Sequence, residues 1–380
     1  MNIFIDTRGW KPDTFSGISE YTRLLTERFL KEHPEHCYLF FANGFRRKKE
    51  MIREGDGAHV RSIDFRIPNR AFDAINLILK VPKIDTLFPS DVYWSPNINI
   101  LSFKNPERRV LTIHDISFHY PEFFSARERL WHWRQNYTEQ IRTAGHLVAV
   151  SDFTKETLID TFTIPEERVT RIYSGIDPFY LEPQREPTPA FRNASRIPGR
   201  FLLYGGTIEP RKNIIAIIQA FSLLKQSPKN SDLSLVLAGS LGWSYDTIFK
   251  EAARTPYSKN ILFWGKATPD EMRELYRTAE VFVYPSFFEG FGFPPLEAQA
   301  CGTPVVASNR TSLPEILSSS ALLINPWRVD ELAEAIGAFL ESPSLRETFI
   351  RRGKTNIARF DWKQSAGRYI ELFESIAQHA

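Results

Sequence analysis

A chain of 380 residues exceeds the roughly 250–300 that one hydrophobic core usually serves, so two domains are expected. Its 42% hydrophobic and 24% charged content is that of a folded globular protein and argues against extended disorder. Forty-eight Lys and Arg against 45 Asp and Glu leave +3, too balanced for a dedicated nucleic-acid binder, and two cysteines, Cys37 and Cys301, support neither a disulfide framework nor a thiolate metal site. MNIFIDTRGW has no basic segment followed by an apolar core, and no run reaches the ~18 apolar residues of a membrane helix. Neither a signal peptide nor a span is therefore expected. A two-domain cytosolic enzyme is.

The chain opens with a strand-type run, Asn2 to Asp6, then a turn-rich stretch from Thr7 to Gly17 and a helical pattern from Ser19 to Phe29. Strand, glycine-bearing loop and helix is how a doubly wound parallel sheet begins. The alternation recurs at CYLFFAN from Cys37, DVYWSP from Asp91, RVLTIHD from Arg109, HLVAVS from His146 and RVTRIYSG from Arg168. Continuous apolar runs of this kind suit strands covered by helices on both faces. Between Pro178 and Pro198 five prolines interrupt any period, and a linker is expected. A second series follows: RFLLYGG from Arg200, LSLVLAGS from Leu233, NILFWG from Asn260, VFVYPS from Val281, TPVVAS from Thr303 and ALLINP from Ala321. From Asp361, the spacing of Tyr369, Leu372, Phe373 and Ile376 predicts an amphipathic C-terminal helix.

Four segments could carry chemistry. In FFEGFGFPPLEAQACGTPVVAS, from Phe287, Glu289 follows a strand in a loop with Gly290 and Gly292, and Pro294 and Pro295 suit the first turn of a helix containing Glu297. Two carboxylates and backbone amides at the carboxyl end of a parallel strand make a pocket for a hydroxylated ligand. The same residues also describe a glycine-rich turn with a capping glutamate. In YGGTIEPRKNI, a strand ends at Gly205-Gly206, and Arg211 and Lys212 precede a helix start, an arrangement suited to an anion or equally to a solvated basic loop. His114 terminates the strand of LTIHD, as a structural or a site histidine, and Gly17 opens the first helix, where its amide is suited to a phosphate. No GxGxxG, HExxH, DxD or GxSxG occurs and the histidines are scattered, so a dinucleotide site, a metal site and a hydrolase elbow are not expected.

Taken in order, SGISEYT, LTIHD, VAVSDFT, IYSGID, GGTIEPRKN and EGFGFPPLE resemble the retaining glycosyltransferases of family GT4 over nearly the whole chain. Glu289 and Glu297 match that family's E-x7-E motif. The resemblance implies the α/β GT-B fold, two Rossmann-like domains facing each other across a cleft. Residues 1–185, joined by a C-terminal helix at about 362–380, would form the acceptor-side domain, and 186–361 the nucleotide-sugar domain. Arg211 and Lys212 would bind the donor diphosphate and stabilise the departing charge. Glu297 would hold the ribose hydroxyls, and Glu289 with the amides of Gly290, Phe291 and Gly292 the hexose. Gly206 would border the donor, Gly17 would lie against its phosphates, His114 near the transferred sugar, and Lys266 near the base. No metal or other cofactor is implied. Retention implies same-face attack with the leaving phosphate assisting; a covalent Glu289 nucleophile is the less favoured variant.

Relatives sharing an HDISFHYPEFF-like block are often mannosyltransferases building lipid-linked bacterial polysaccharides, which implies GDP-mannose and a polyprenyl-diphosphate-linked glycan acceptor. The alternatives are a UDP-sugar transferase, a nucleotide-sugar 2-epimerase and an inactive sugar-nucleotide-binding scaffold. Arg127, Arg129, Arg134 and Arg142 interleave with Leu130, Trp131 and Trp133, and residues 44–83, with the FRRKKE run, hold ten Lys and Arg against five Asp and Glu. Such a surface suits the anionic inner face of a cell membrane or is a solvated basic face. The expected location is cytoplasmic.

Overall fold

The computed structural model describes residues 1–10, 17–44, 59–182 and 199–379. The FRRKKE run, the residues just before Gly17 and residues 183–198 of the proline-rich stretch lie outside the described residues, as do the side chains of Arg127 and Trp131. The chain forms two compact units, one of Met1–Ile116, Ala126–Gly175 and Asp361–Ala380, the other of Ser117–Ser125 and Ile176–Phe360.

The first unit is built on strands β1 (Asn2–Asp6), β2 (Cys37–Ala42), β3 (Val60–Asp64), β4 (Val92–Ser95), β5 (Arg109–Ile113), β6 (His146–Ala149) and β7 (Val169–Arg171). They lie parallel in the order β3-β2-β1-β4-β5-β6-β7. Every residue of β4 and β5 is buried, which explains why VYWS and RVLTI show no polar alternation. Strand order reverses at β1, between β2 and β4, so the loops leaving β1 and β4 part there and open a crevice.

The helix Trp362–His379 packs in this unit against the helix Gly17–Glu32. Buried Tyr369 shares hydrogen bonds with Tyr21 (2.6 Å) and Thr112 (2.7 Å), and the Trp94 indole N–H donates to Thr112 Oγ1 at 3.0 Å. Removing one hydroxyl from this enclosed network orphans its partners. Tyr369→Phe is expected to destabilise the protein by about 1–2 kcal/mol, read as a lowered thermal midpoint.

The second unit contains β8 (Phe201–Gly205), β9 (Ser234–Ala238), β10 (Ile261–Gly265), β11 (Val281–Tyr284), β12 (Val305–Ser308) and β13 (Leu322–Ile324), all parallel, in the order β10-β9-β8-β11-β12-β13. Here the reversal falls at β8, between β9 and β11. The loop after β8 holds Arg211 and Lys212, and the loop after β11 holds Glu289, so the topology brings together residues distant in sequence.

Two boundaries differ from the sequence expectation. The first unit ends at Gly175 and the second resumes at Ile176, not at 185/186, because Ile176 donates its N–H to Phe360 O at 3.0 Å and Pro178–Leu181 forms a short helix there. Ser117–Ser125 also belongs to the second unit. Its aromatic side chains account for this: Tyr120 and Phe123 pack on Phe288 (ring centroids 5.0 and 5.9 Å), and Phe124 on Trp243 (5.8 Å).

Candidate functional site

β8 ends at Gly205, and Gly206 bonds onward to Ala238 O at 2.9 Å. A Cβ added to neighbouring Gly239 would lie 1.7 Å from Gly206 O, so only glycine permits this approach of the two strand ends. The chain then turns through the short 3-10 segment Pro210–Lys212, and Asn213, at φ 55°, leads into the helix Ile214–Leu224. The Asn213 side chain donates to Pro285 O (3.3 Å) and Pro326 O (2.7 Å), fastening this turn to the segments after β11 and β13.

Lys212 is consequently buried, and its Nζ lies 2.5 Å from Glu289 Oε1 and donates to the Tyr284 hydroxyl at 2.9 Å. Arg211 donates from Nη1 to Phe288 O at 2.7 Å and from Nε to Glu209 Oε1 at 3.1 Å, with Glu289 Oε2 3.8 Å from Nη1. The backbone around Glu289 is fixed independently. Its N–H donates to Thr311 Oγ1 at 3.0 Å, while Ser312 Oγ donates to Glu289 O at 3.0 Å and Phe291 O at 3.1 Å.

Four charged side chains, two of each sign, thus meet at the carboxyl edge of β8 and β11. Burial raises the Glu289 pKa, but the charges of Lys212 and Arg211 outweigh it and hold the carboxyl below its ordinary 4.5. Burial and the Arg211 charge pull Lys212 below its ordinary 10.5, against the attraction of Glu289. Preorganised cations of this kind, shielded from water, can stabilise an anion that grows during a reaction.

Gly292, at φ 103°, caps the helix Phe293–Ala300, and a Cβ there would sit 2.7 Å from Leu313 Cδ2. Gly290 and Phe291 are buried beside it. Pro294 and Pro295 occupy the first turn, where the missing N–H groups cost least. Glu297, half-buried in the same helix, accepts a hydrogen bond from the Tyr276 hydroxyl at 2.9 Å. Lys266 follows the edge strand β10 and is exposed, separated from β8 by β9. The topology therefore joins Arg211, Lys212 and Glu289 directly, keeps Gly206 and Gly290–Gly292 in the same two loops, and sets Lys266 apart.

In the first unit His114 follows β5, and its Nε2–H donates to Pro96 O at 2.8 Å, since a carbonyl only accepts. Its ring meets the Tyr21 ring edge-on at 4.6 Å, and burial pushes its pKa below the ordinary 6.5. The imidazole is therefore neutral near pH 7, with its accepting lone pair on Nδ1. Gly17 begins the helix Gly17–Glu32 that follows β1. Sequence reasoning missed Asp6 and Arg8 at the end of β1, a buried pair 2.8 Å apart, with Arg8 also donating to Asp73 at 3.1 Å. It also missed Glu209 and Tyr284 as partners of the two cations. Glu209 adjoins the Arg-Lys pair in sequence, whereas nothing local announces Tyr284.

Two family models match the chain: "Glycosyltransferase Family 4" over residues 15–179 and "Glycosyl transferases group 1" over 187–356. The O-antigen chain mannosyltransferase B of Escherichia coli is 34% identical over 286 residues, 74% of either chain. The serotype-specific mannosyltransferase WbdA of the same species is 28% identical along 100% of this chain, which spans 48% of that longer protein. Among solved structures, a sucrose-phosphate synthase from Thermosynechococcus elongatus superposes over both full chains with TM-score 0.74 at 20% identity. Anabaena HepE, solved with UDP and glucose, gives 0.73 at 18% identity over 99% of this chain and 100% of its own. The fold shared with these structures is GT-B, two Rossmann-like domains, and with the family matches it defines a glycosyltransferase. The chain belongs to glycosyltransferase family 4, among members like the bacterial O-antigen mannosyltransferases.

Proposed function

We propose that the protein moves mannose from GDP-mannose, with retention of configuration, onto a polyprenyl-diphosphate-linked glycan during bacterial polysaccharide assembly. The observation that carries a donor site is the buried Lys212–Glu289 pair beside Arg211 at the strand-order reversal, where ligands of doubly wound sheets bind. The relatives named as mannosyltransferases support the sugar.

Cleavage of the sugar–phosphate bond leaves positive character on the anomeric carbon and an extra charge on the departing diphosphate. Arg211 and Lys212 offset that charge, so no divalent ion is required. Glu289 and the amides of Gly290, Phe291 and Gly292 hold the hexose, and Glu297 the ribose. Gly206 borders the donor, Lys266 lies toward its base, and the first helix at Gly17 lies against its phosphates. His114, neutral and with Nε2–H committed to Pro96, lies by the transferred sugar and offers Nδ1 as an acceptor. Attack comes from the face the phosphate leaves, and a phosphate oxygen takes the acceptor proton.

The second unit, Ile176–Phe360 with Ser117–Ser125, acts as the donor domain, and the first, which includes the C-terminal helix, as the acceptor side. No helix among the described residues is long and apolar enough to cross a membrane. Exposed Leu130 and Trp133, next to Arg129 and Arg134, support peripheral contact with the anionic inner face of the cell membrane.

HepE, solved with UDP and glucose, favours a UDP-sugar as the second reading. Thermal shifts with GDP, UDP, GDP-mannose and UDP-glucose separate the two. Stabilisation by the guanosine compounds is expected, and at 100 times Kd it amounts to about 2.7 kcal/mol. A response to the uridine compounds alone transfers the reading to a UDP-sugar. No response to any of them overturns the donor site.

A further inference from the structure

The helix Gly17–Glu32 ends in the turn His33-Pro34-Glu35-His36, just before β2. His33 donates its N–H to Phe29 O at 3.0 Å, His36 its N–H to His33 O at 3.4 Å, and the Tyr38 hydroxyl donates to His33 O at 2.9 Å. These bonds hold the two imidazoles nearly parallel, 6° apart in plane with centroids separated by 6.3 Å. Glu35 Oε1 lies 3.3 Å from His33 Nδ1 and 3.5 Å from His36 Nε2. From the C-terminal helix, Glu374 Oε1 approaches the same Nε2 to 3.9 Å.

His36 is only 6% exposed, and its Nε2 is buried without a hydrogen-bond partner although two carboxylates lie near it. Orphaned buried nitrogens are rare and call for an explanation. The other ring nitrogen, Nδ1, lies 3.4 Å from the Met1 amino nitrogen.

We propose that His33 Nδ1, Glu35, His36 Nε2 and Glu374 bind a divalent cation of the zinc class, apart from the sugar-transfer residues. A tetrahedral zinc ion with bonds of about 2.0–2.1 Å places its ligand atoms roughly 3.3–3.5 Å from one another. The two distances from Glu35 meet that requirement, and half-exposed Glu374 needs only a small side-chain rotation. Two imidazoles and two carboxylates suit zinc, cobalt or nickel, whereas magnesium and calcium favour all-oxygen sites. The bound ion would pin the C-terminal helix to the turn after the first helix, reinforcing the Tyr369 network, and would act as a staple rather than in catalysis.

The test titrates the full chain, stripped with chelator, with zinc against a chromophoric competitor, and separately with magnesium. One zinc equivalent is expected, with a raised thermal midpoint and no matching effect of magnesium. His33→Gln and Glu35→Gln, both in the surface turn, are each expected to weaken zinc binding at least tenfold while leaving the thermal response to nucleotides intact. Glu374→Gln is expected to weaken it less. Zinc affinity unchanged in the His33→Gln/Glu35→Gln double variant, or magnesium bound as well as zinc, overturns the assignment. Because the nucleotide response is read on the same samples, failure here is distinguishable from failure of the donor site.

Discussion

Lys212→Ala is expected to lower sugar transfer tenfold or more, measured as nucleotide released per enzyme. Each factor of ten corresponds to about 1.4 kcal/mol of lost transition-state stabilisation, which one buried cation beside a departing diphosphate readily supplies. The substitution also leaves Glu289 in a dry site with Arg211 3.8 Å away as its nearest remaining cation. Breaking one side of a buried ion pair typically costs about 3–5 kcal/mol, so a lowered melting point is expected as well. Lys212→Ala combined with Glu289→Gln separates the two effects. The double variant is expected to recover part of the stability and none of the transfer. The pair also sets a pH dependence. The Glu289 pKa is depressed in the folded protein, so its contribution is full above the ordinary 4.5 and is lost as pH falls through the folded value. Lys212→Ala raises that folded value and moves the loss to higher pH. Glu297→Ala is likewise expected to cost tenfold or more in transfer, through the ribose.

Gly239→Ala is expected to be the most damaging single methyl in the second unit. The new Cβ would lie 1.7 Å from Gly206 O, which is backbone and has no rotamer by which to withdraw. Either β9 or the Gly205-Gly206 turn must shift. Inserting a methylene into a packed site costs about 1–3 kcal/mol, and a rigid neighbour puts this substitution at or above the upper end. Because Gly206 starts the loop that carries Arg211 and Lys212, transfer falls along with stability. Gly367→Ala, whose Cβ meets nothing within 4 Å, is the matched control and is expected to be nearly neutral.

The strands at the centre of each sheet were legible because burial on both faces removes polar alternation, as in FLLYG of β8 and VFVY of β11. β3 escaped notice for the opposite reason. It is an edge strand, and Arg61 and Ser62 of VRSID are exposed, so no apolar run marks it. Ser117–Ser125 falls within the first half in sequence, and the packing of Tyr120 and Phe123 on Phe288 and of Phe124 on Trp243 places it with the second unit. In the site, Arg211, Lys212 and Glu289 are each visible as motif residues. Their pairing is not, since it depends on β8 and β11 being neighbours at a point where the strand order reverses. His33 and His36 look scattered among eight histidines, and their relation to Glu35 and Glu374 is a property of a turn and of a helix more than 300 residues away.

The most direct test is transfer itself. The purified protein is incubated with GDP-mannose or UDP-glucose and polyprenyl-diphosphate-linked oligosaccharides in the presence of a strong chelator, and the product is analysed for added hexose and anomeric configuration. Mannose added in the α-configuration from GDP-mannose is expected, persisting under chelation and lowered tenfold or more by Lys212→Ala. Transfer at wild-type rate by the Lys212 and Glu297 variants, or absolute dependence on an added metal, would contradict it.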